Sequence, residues 1–392
     1  MNVSCRVFAC GLAYLALAYL ALVGVARSDQ FAGEPFAGSN DAGHSAGGAN
    51  WMADGGLLAG YPLVNIGGLD APPLPGCDAL DPAGCADECS PPWAHRSGVF
   101  GELLYLRARD AEVAYAVPVD GAIVAPPSSI QVGRVAVTDP DYNAGFRVGG
   151  TCAVDDCSSF SLSWAHFESS TFDDATTSAP LVLRSLVLHP GTANAGADFL
   201  DAEANLDIDF DLVDGDYRAV WTAGDLWAIN YLAGLRYAYL NQDFSALMSN
   251  TGTEDTLQTR VTFEGVGLRF GLDGERHFEC CGMFLYGKTV ANMIVGDFRA
   301  RYTQGSDVDP IIVDTTWKAG RLVTVLDLEL GAGWQSECGH WRLSTGYLIS
   351  AWYNAIPTDQ WIAAVQQNNF VNLGHEDMMT FDGLTARVEY RW

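Results

Sequence analysis

Five arginines, Arg147, Arg236, Arg269, Arg342 and Arg387, and six carboxylates, Asp207, Asp209, Asp211, Asp327, Glu329 and Glu389, sit in stretches where polar and apolar residues take turns. Gathered inside one structure, a guanidinium side facing a carboxylate side would set up a transverse field that orients hydrated solutes and sets ion preference. The same charges could instead pair across neighbouring strands and fill the space between them. Covalent chemistry finds less support. Ser163 and His166 are three positions apart and therefore point to opposite faces of a strand. His189, His277, His340 and His375 fall in loops or turns without metal-ligand spacing. Asp207-x-Asp209-x-Asp211 begins like a calcium loop, but Leu212 stands where that motif needs glycine. Neither catalytic residues nor a metal or cofactor is expected, although loop acids such as Asp307 and Asp309 could hold divalent cations weakly.

The elements that position these charges must have a period of two. Phe160, Leu162 and Trp164 alternate with Ser159, Ser161 and Ser163; Leu206, Ile208, Phe210 and Leu212 alternate with the three aspartates; Leu326, Leu328 and Leu330 alternate with Asp327 and Glu329. Ten such segments are expected as strands, at 98–107, 144–150, 158–164, 206–212, 226–240, 259–271, 284–295, 322–334, 341–354 and 381–392. After the first strand, long links (108–143, 168–205, 241–258, 296–320, 355–380) alternate with short ones (151–157, 213–225, 272–283, 335–340). Short turns on one side and long loops on the other are the habit of an outer-membrane barrel, and an even strand number places both ends in the periplasm. Segments 132–137 and 181–188 could add strands. The expectation is an all-β fold: a transmembrane, antiparallel, up-and-down β-barrel of 10–14 strands over 98–392, with a poorly ordered N-terminal extension. If the apolar parity of every strand meets lipid, all eleven charged residues named above face the lumen.

Residues 1–26 read as a secretory signal, with Arg6, an apolar run and Gly24-Val25-Ala26. Beyond them no stretch approaches the ~20 apolar residues of a spanning helix. Residues 27–97 are rich in Gly, Ala and Pro, with Cys77, Cys85 and Cys89, and read as a periplasmic extension. At the other end Leu384, Ala386, Val388, Tyr390 and Trp392 alternate with charged and polar residues, the pattern of a barrel-closing strand that assembly machinery could engage. A formal charge of −27 excludes nucleic acid as a partner and leaves open a lean toward cations. Export makes disulfides the default for Cys152, Cys157, Cys280, Cys281 and Cys338, with Cys152–Cys157 first and one of Cys280 or Cys281 with Cys338 second.

Several segments also carry a likeness. Residues 98–107 (GVFGELLYLR), 144–150 (AGFRVGG), 161–167 (SLSWAHF), 233–237 (AGLRY) and 265–271 (GVGLRFG) resemble, in order and spacing, the Legionella-type major outer-membrane protein family of pore-forming barrels. The likeness covers about 98–392. It implies an outer-membrane location, a porin-like pore for ions and small hydrophilic solutes, and no catalytic residues. The alternative is a structural or adhesive surface barrel with a filled lumen. Membrane lipid would surround either one, and a homo-oligomer stays open.

Overall fold

The computed structural model describes residues 91–121, 130–192, 197–278, 281–371, 373 and 378–392. Each alternating segment read from the sequence becomes a strand within them. The ten barrel strands are β1 (Gly98–Arg109), β4 (Asn143–Asp155), β5 (Ser158–Thr176), β7 (Asp201–Ala223), β8 (Trp227–Ser249), β9 (Glu254–His277), β10 (Met283–Ser306), β11 (Val313–Gln335), β12 (Trp341–Tyr353) and β13 (Met378–Arg391). All pair antiparallel with their neighbours, and the ring closes where Gly98 of β1 lies opposite Arg391 of β13. Three further strands, β2 (Val113–Asp120), β3 (Ala136–Thr138) and β6 (Leu181–Ser185), form a separate small sheet in the order β3-β2-β6. Segments 132–137 and 181–188 thus supply strands to this sheet and none to the barrel. The signal reading of residues 1–26 and the extension up to residue 90 lie outside the described residues.

Strands β7 to β11 are 23 or 24 residues long. At about 3.3 Å per residue and ~45° tilt, such a strand rises about 50 Å, nearly twice the ~25–30 Å of hydrocarbon it has to cross. Two of the expected long links, 241–258 and 296–320, are therefore mostly strand, and only 250–253 and 307–312 remain as connections. Alternation persists there, but the outward residues turn polar, and a search for greasy lipid-facing positions stops too early.

Strand β11 shows how the wall is built. Its outward residues Leu322, Leu326, Leu328, Leu330 and Trp334 are 42–59% exposed, while further out the same parity carries Lys318 and Asp314. Thirteen residues of apolar band, tilted, span about 28 Å, the thickness of the hydrocarbon layer. Inward, the sequence of events runs the other way: Val323 and Val325 are fully buried in an apolar core, and Asp327 and Glu329 follow toward the periplasm. Strand β7 repeats the switch, with Leu206, Ile208, Phe210 and Leu212 inward in its outer half and Asp214 and Asp216 inward below them.

The outer half of the barrel interior is consequently solid. Phe210 packs with ring centroids 5.3 Å from Phe167, 5.0 Å from Phe381 and 6.5 Å from Trp352. Connecting segments fold down onto this core. Helix α1 (Thr358–Gln367) buries Trp361, Ile362 and Val365, and ends at Asn368, whose left-handed backbone returns an N–H to the carbonyls of Ala364 and Val365. Inward-facing Gln242 ties the approach to this helix, donating to the Ile356 carbonyl at 2.9 Å and accepting from the Thr358 N–H at 3.1 Å. Tyr302 donates to the Val187 carbonyl at 2.9 Å, and Gln366 donates to the carbonyls of Leu186 and Leu188. Two of the links expected to be outer loops, 168–205 and 355–380, thus supply the cap of the core.

Truncating Phe210 to alanine removes the ring at the centre of this core. It is expected to lower the unfolding free energy by about 3–5 kcal/mol. Leu328→Ala, on the lipid-facing wall, should cost clearly less. Equilibrium unfolding of the detergent-folded barrel in urea checks both, and equal effects would contradict a solid outer half.

Candidate functional site: a charged chamber in the membrane half

Below the apolar core the inward parity turns polar and encloses a cavity of about 180 Å³. Its ceiling is Leu348 and its floor the segment before β1, with Trp93, Ala94, His95 and Arg96 in the lining. Nine basic and seven acidic side chains line it, so the chamber holds no share of the chain's acidic surplus.

The charges are matched in detail. Arg236 clamps Asp214 side-on through Nε at 2.6 Å and Nη2 at 2.8 Å, and reaches Asp327 with Nη1 at 2.8 Å. Arg269 lies 3.0 Å from Asp216 and 3.2 Å from Asp214, and donates to Asn292 at 3.0 Å. Arg147 pairs with Glu102 at 2.9 Å, directly across the β1–β4 ladder. Glu329 accepts from the Tyr286 hydroxyl at 2.7 Å and the Thr385 hydroxyl at 3.1 Å. Nearer the periplasmic end Arg218 meets Asp273 at 2.5 Å, Arg342 meets Glu275 at 2.5 Å and Arg387 meets Glu389 at 3.2 Å. Arg342 also stacks on Phe284 and Arg387 on Phe100, 3.9 and 3.6 Å from the ring centroids.

The five arginines read as inward, together with Asp327, Glu329 and Glu389, all line this chamber. The three aspartates of β7 do not. Asp207, Asp209 and Asp211 face outward, because the apolar residues between them belong to the core. Asp211 accepts from Trp164 and contacts His166, both at 3.0 Å; Asp209 accepts from Asn241 at 2.9 Å; Asp207 accepts from Asn205 at 2.8 Å. Lying above the lipid band, this part of the wall meets water outside, which reverses the rule used to assign them. Ser163 lines the chamber while His166 stands on the outer wall, so the two are on opposite faces. On β13, Leu384, Val388 and Tyr390 are exposed on the outer wall, and Trp392 follows with its N–H on the Ser97 carbonyl at 2.9 Å.

The cysteines need a correction. Cys157 is a free, exposed thiol and does not bond to Cys152. β4 runs on to Asp155, so the residue opposite Cys152 is Phe160, and Cys157 sits at the turn. Cys281 is also free, and Cys280 lies outside the described residues. Neither Cys152 nor Cys338 is a free thiol.

Sequence reasoning missed the floor. Residues 91–97, assigned to the extension, fit into the periplasmic end of the barrel. Trp93 donates to the Gly224 carbonyl at 2.7 Å, and Arg96 to the Cys338 carbonyl at 2.9 Å. His95, almost wholly buried, lies 2.7 Å from the Ser159 hydroxyl through Nδ1 and 3.2 Å from the Asn230 side-chain oxygen through Nε2. Seven residues without a period carry no signal for such docking; Trp-Ala-His, two large rings among polar neighbours, was the only trace.

Arg236→Gln removes the side-on clamp on Asp214 and the contact to Asp327, leaves these carboxylates to Arg269, Asn292 and Ser350, and should cost about 3 kcal/mol in unfolding free energy. Arg260→Gln, which breaks only the half-exposed outer pair with Asp243 at 2.5 Å, should cost about 0–1 kcal/mol. Burial, reinforced by the Arg218 guanidinium, pushes the His95 pKa down to about 4. The docked segment therefore binds fewer protons than the undocked one, whose histidine titrates near ~6.5. Docking is fully favourable above that value and weakens as pH falls toward 4. NMR of ¹⁵N-histidine-labelled protein should find one ring titrating near pH 4 that is absent from His95→Gln; a midpoint near the free value would show the segment undocked.

The model of the Legionella pneumophila major outer membrane protein precursor family matches residues 91–390, beginning where the docked segment begins. No curated protein matches. Among solved structures, the Escherichia coli outer membrane protease OmpT is 11% identical, with 76% of this chain and 97% of that one covered and a TM-score of 0.39. A deltaS2S3 mutant of the monoaromatic hydrocarbon channel TodX is 10% identical over 77% and 92%, with a TM-score of 0.28. The Pseudomonas putida toluene transporter TodX is 7% identical over 75% and 89%, with a TM-score of 0.24. Likenesses at these levels carry no functional argument. The family match, running through every barrel strand, does carry one about kinship and place: this chain is a bacterial outer-membrane β-barrel and belongs to the Legionella pneumophila major outer membrane protein family.

Proposed function

We propose that this protein serves as a closed, structural surface barrel, its outer end standing well clear of the membrane. The apolar core across the outer half of the lumen carries this reading. Leu104, Phe167, Phe210, Leu240, Phe263, Phe298, Val325, Trp352 and Phe381 come from nine strands around the ring and are at most 4% exposed. A hydrated solute crossing that layer would have to shed its water against hydrocarbon side chains. Catalysis has no part in this reading. The lipid bilayer is the partner of the apolar outer band, β13 is the element for assembly machinery to engage, and the acids of the projecting wall and of the 307–312 connection are the surface for divalent cations.

Porin-like diffusion of ions and small hydrophilic solutes is the second reading, and the charged chamber favours it. In that reading the cap formed by α1 and the 181–189 segment has to move before anything passes. A cation preference finds no support in a chamber lined by nine basic and seven acidic groups.

Planar-bilayer recording of the detergent-folded protein separates the two. The closed barrel gives no stable conductance steps. Reproducible open steps, altered in size or reversal potential by Arg269→Ala, would overturn it in favour of the pore.

A further inference from the structure

At the periplasmic end of the chamber the arginines outnumber the carboxylates available to them. Glu275 is taken by Arg342 and Glu389 by Arg387, at 2.5 and 3.2 Å. Arg391, only 5% exposed, lines the same cavity, and its Nε and Nη2 are buried without a hydrogen-bond partner. Those two atoms form the side-on fork with which Arg218 grips Asp273 and Arg236 grips Asp214 elsewhere in this lumen. Here the fork has no carboxylate in it. The nearby Arg96 guanidinium donates to a carbonyl, that of Cys338. A buried guanidinium fork without an acceptor is costly, and a planar or tetrahedral oxyanion is the ligand whose geometry fits it.

We infer that the periplasmic end of the lumen is a binding site for a small oxyanion, a phosphate or a carboxylate, held bidentately by Arg391 with Arg96 adding its charge. The cavity of about 180 Å³ has room for such a group together with water. The inference does not rest on whether the lumen conducts, since the site lies on the periplasmic side of the apolar core; conductance leaves it untouched.

The test is calorimetric titration of the detergent-folded full chain with inorganic phosphate and, separately, with acetate at constant ionic strength. Saturable one-site binding of at least one probe is expected, and the stronger binder identifies which oxyanion the site prefers. Arg391→Gln should weaken it at least tenfold, whereas Arg299→Gln, on the exposed outer wall, leaves it unchanged. Heat-dependent gel mobility confirms that each variant has folded. Because Arg391 lies in the closing ladder, Arg96→Gln, outside every strand, provides a second variant, expected to weaken binding at least threefold. Wild-type protein that binds neither probe saturably, or folded variants that bind as the wild type does, would mean that the fork holds only water.

Discussion

Apart from irregularities near the ends of β4 and β7, each barrel strand keeps one parity turned inward, while the medium on the other side changes from lipid to water. That single constraint organises the molecule. Where lipid surrounds the wall, the apolar parity is spent outside and the inward residues are free to be charged. Where the wall rises into water, the requirement reverses: water solvates the outer face, so polar residues turn outward and apolar ones are buried inward. β7 carries both halves without a bulge between them, from Leu206 to Asp216 on one inward row. The barrel is thus two cores end to end, one made of hydrocarbon and the other of ion pairs, sharing a continuous backbone ladder.

The two cores differ in what they demand of side chains. The apolar half gains from every buried methylene and tolerates approximate shape. The charged half gains little in net terms, because desolvating a guanidinium and a carboxylate nearly cancels their attraction. Geometry limits the damage. The side-on clamp of Arg236 on Asp214 and the shared use of Asp327 by Arg236, Asn292 and Ser350 leave few bonds unmade. Matched charges also fix register, since sliding β8 against β7 by two residues would bring Arg236 away from Asp214, its direct cross-strand partner.

This arrangement explains what was legible in the sequence and what was not. Alternation located all ten strands, because a wall with unlike media on its two faces needs unlike residues on its two parities. The inward direction of Arg147, Arg236, Arg269, Arg342 and Arg387 was also readable, since flanking residues such as Leu235, Leu268 and Val388 are unmistakably lipid-facing. Asp207, Asp209 and Asp211 were misassigned for a physical reason. A polar–apolar alternation is unchanged when inside and outside are exchanged, and nothing local marks where the bilayer ends. The docked segment at 91–97 and the cap formed by α1 escaped because their burial depends on partners more than a hundred residues away, such as Asn230 against His95 and Gln242 against Thr358.

The location of the acidity also follows from the reversal. A formal charge of −27 could have meant a lumen that attracts cations. Inside, however, an unpaired carboxylate would be buried at a cost no barrel interior this narrow could carry, so the chamber's acids are each answered by an arginine or a hydroxyl. The surplus is left to the projecting wall, where Asp207, Asp209, Asp211 and Asp243 face water and solvent screens their mutual repulsion. Charge on that surface keeps a tall, exposed β-wall soluble and discourages association between neighbouring walls. It does so at a distance from the lumen, on the far side of a layer of closely packed rings. Net charge is therefore a property of this protein's outer surface, and the character of its interior has to be read from the residues of the opposite parity.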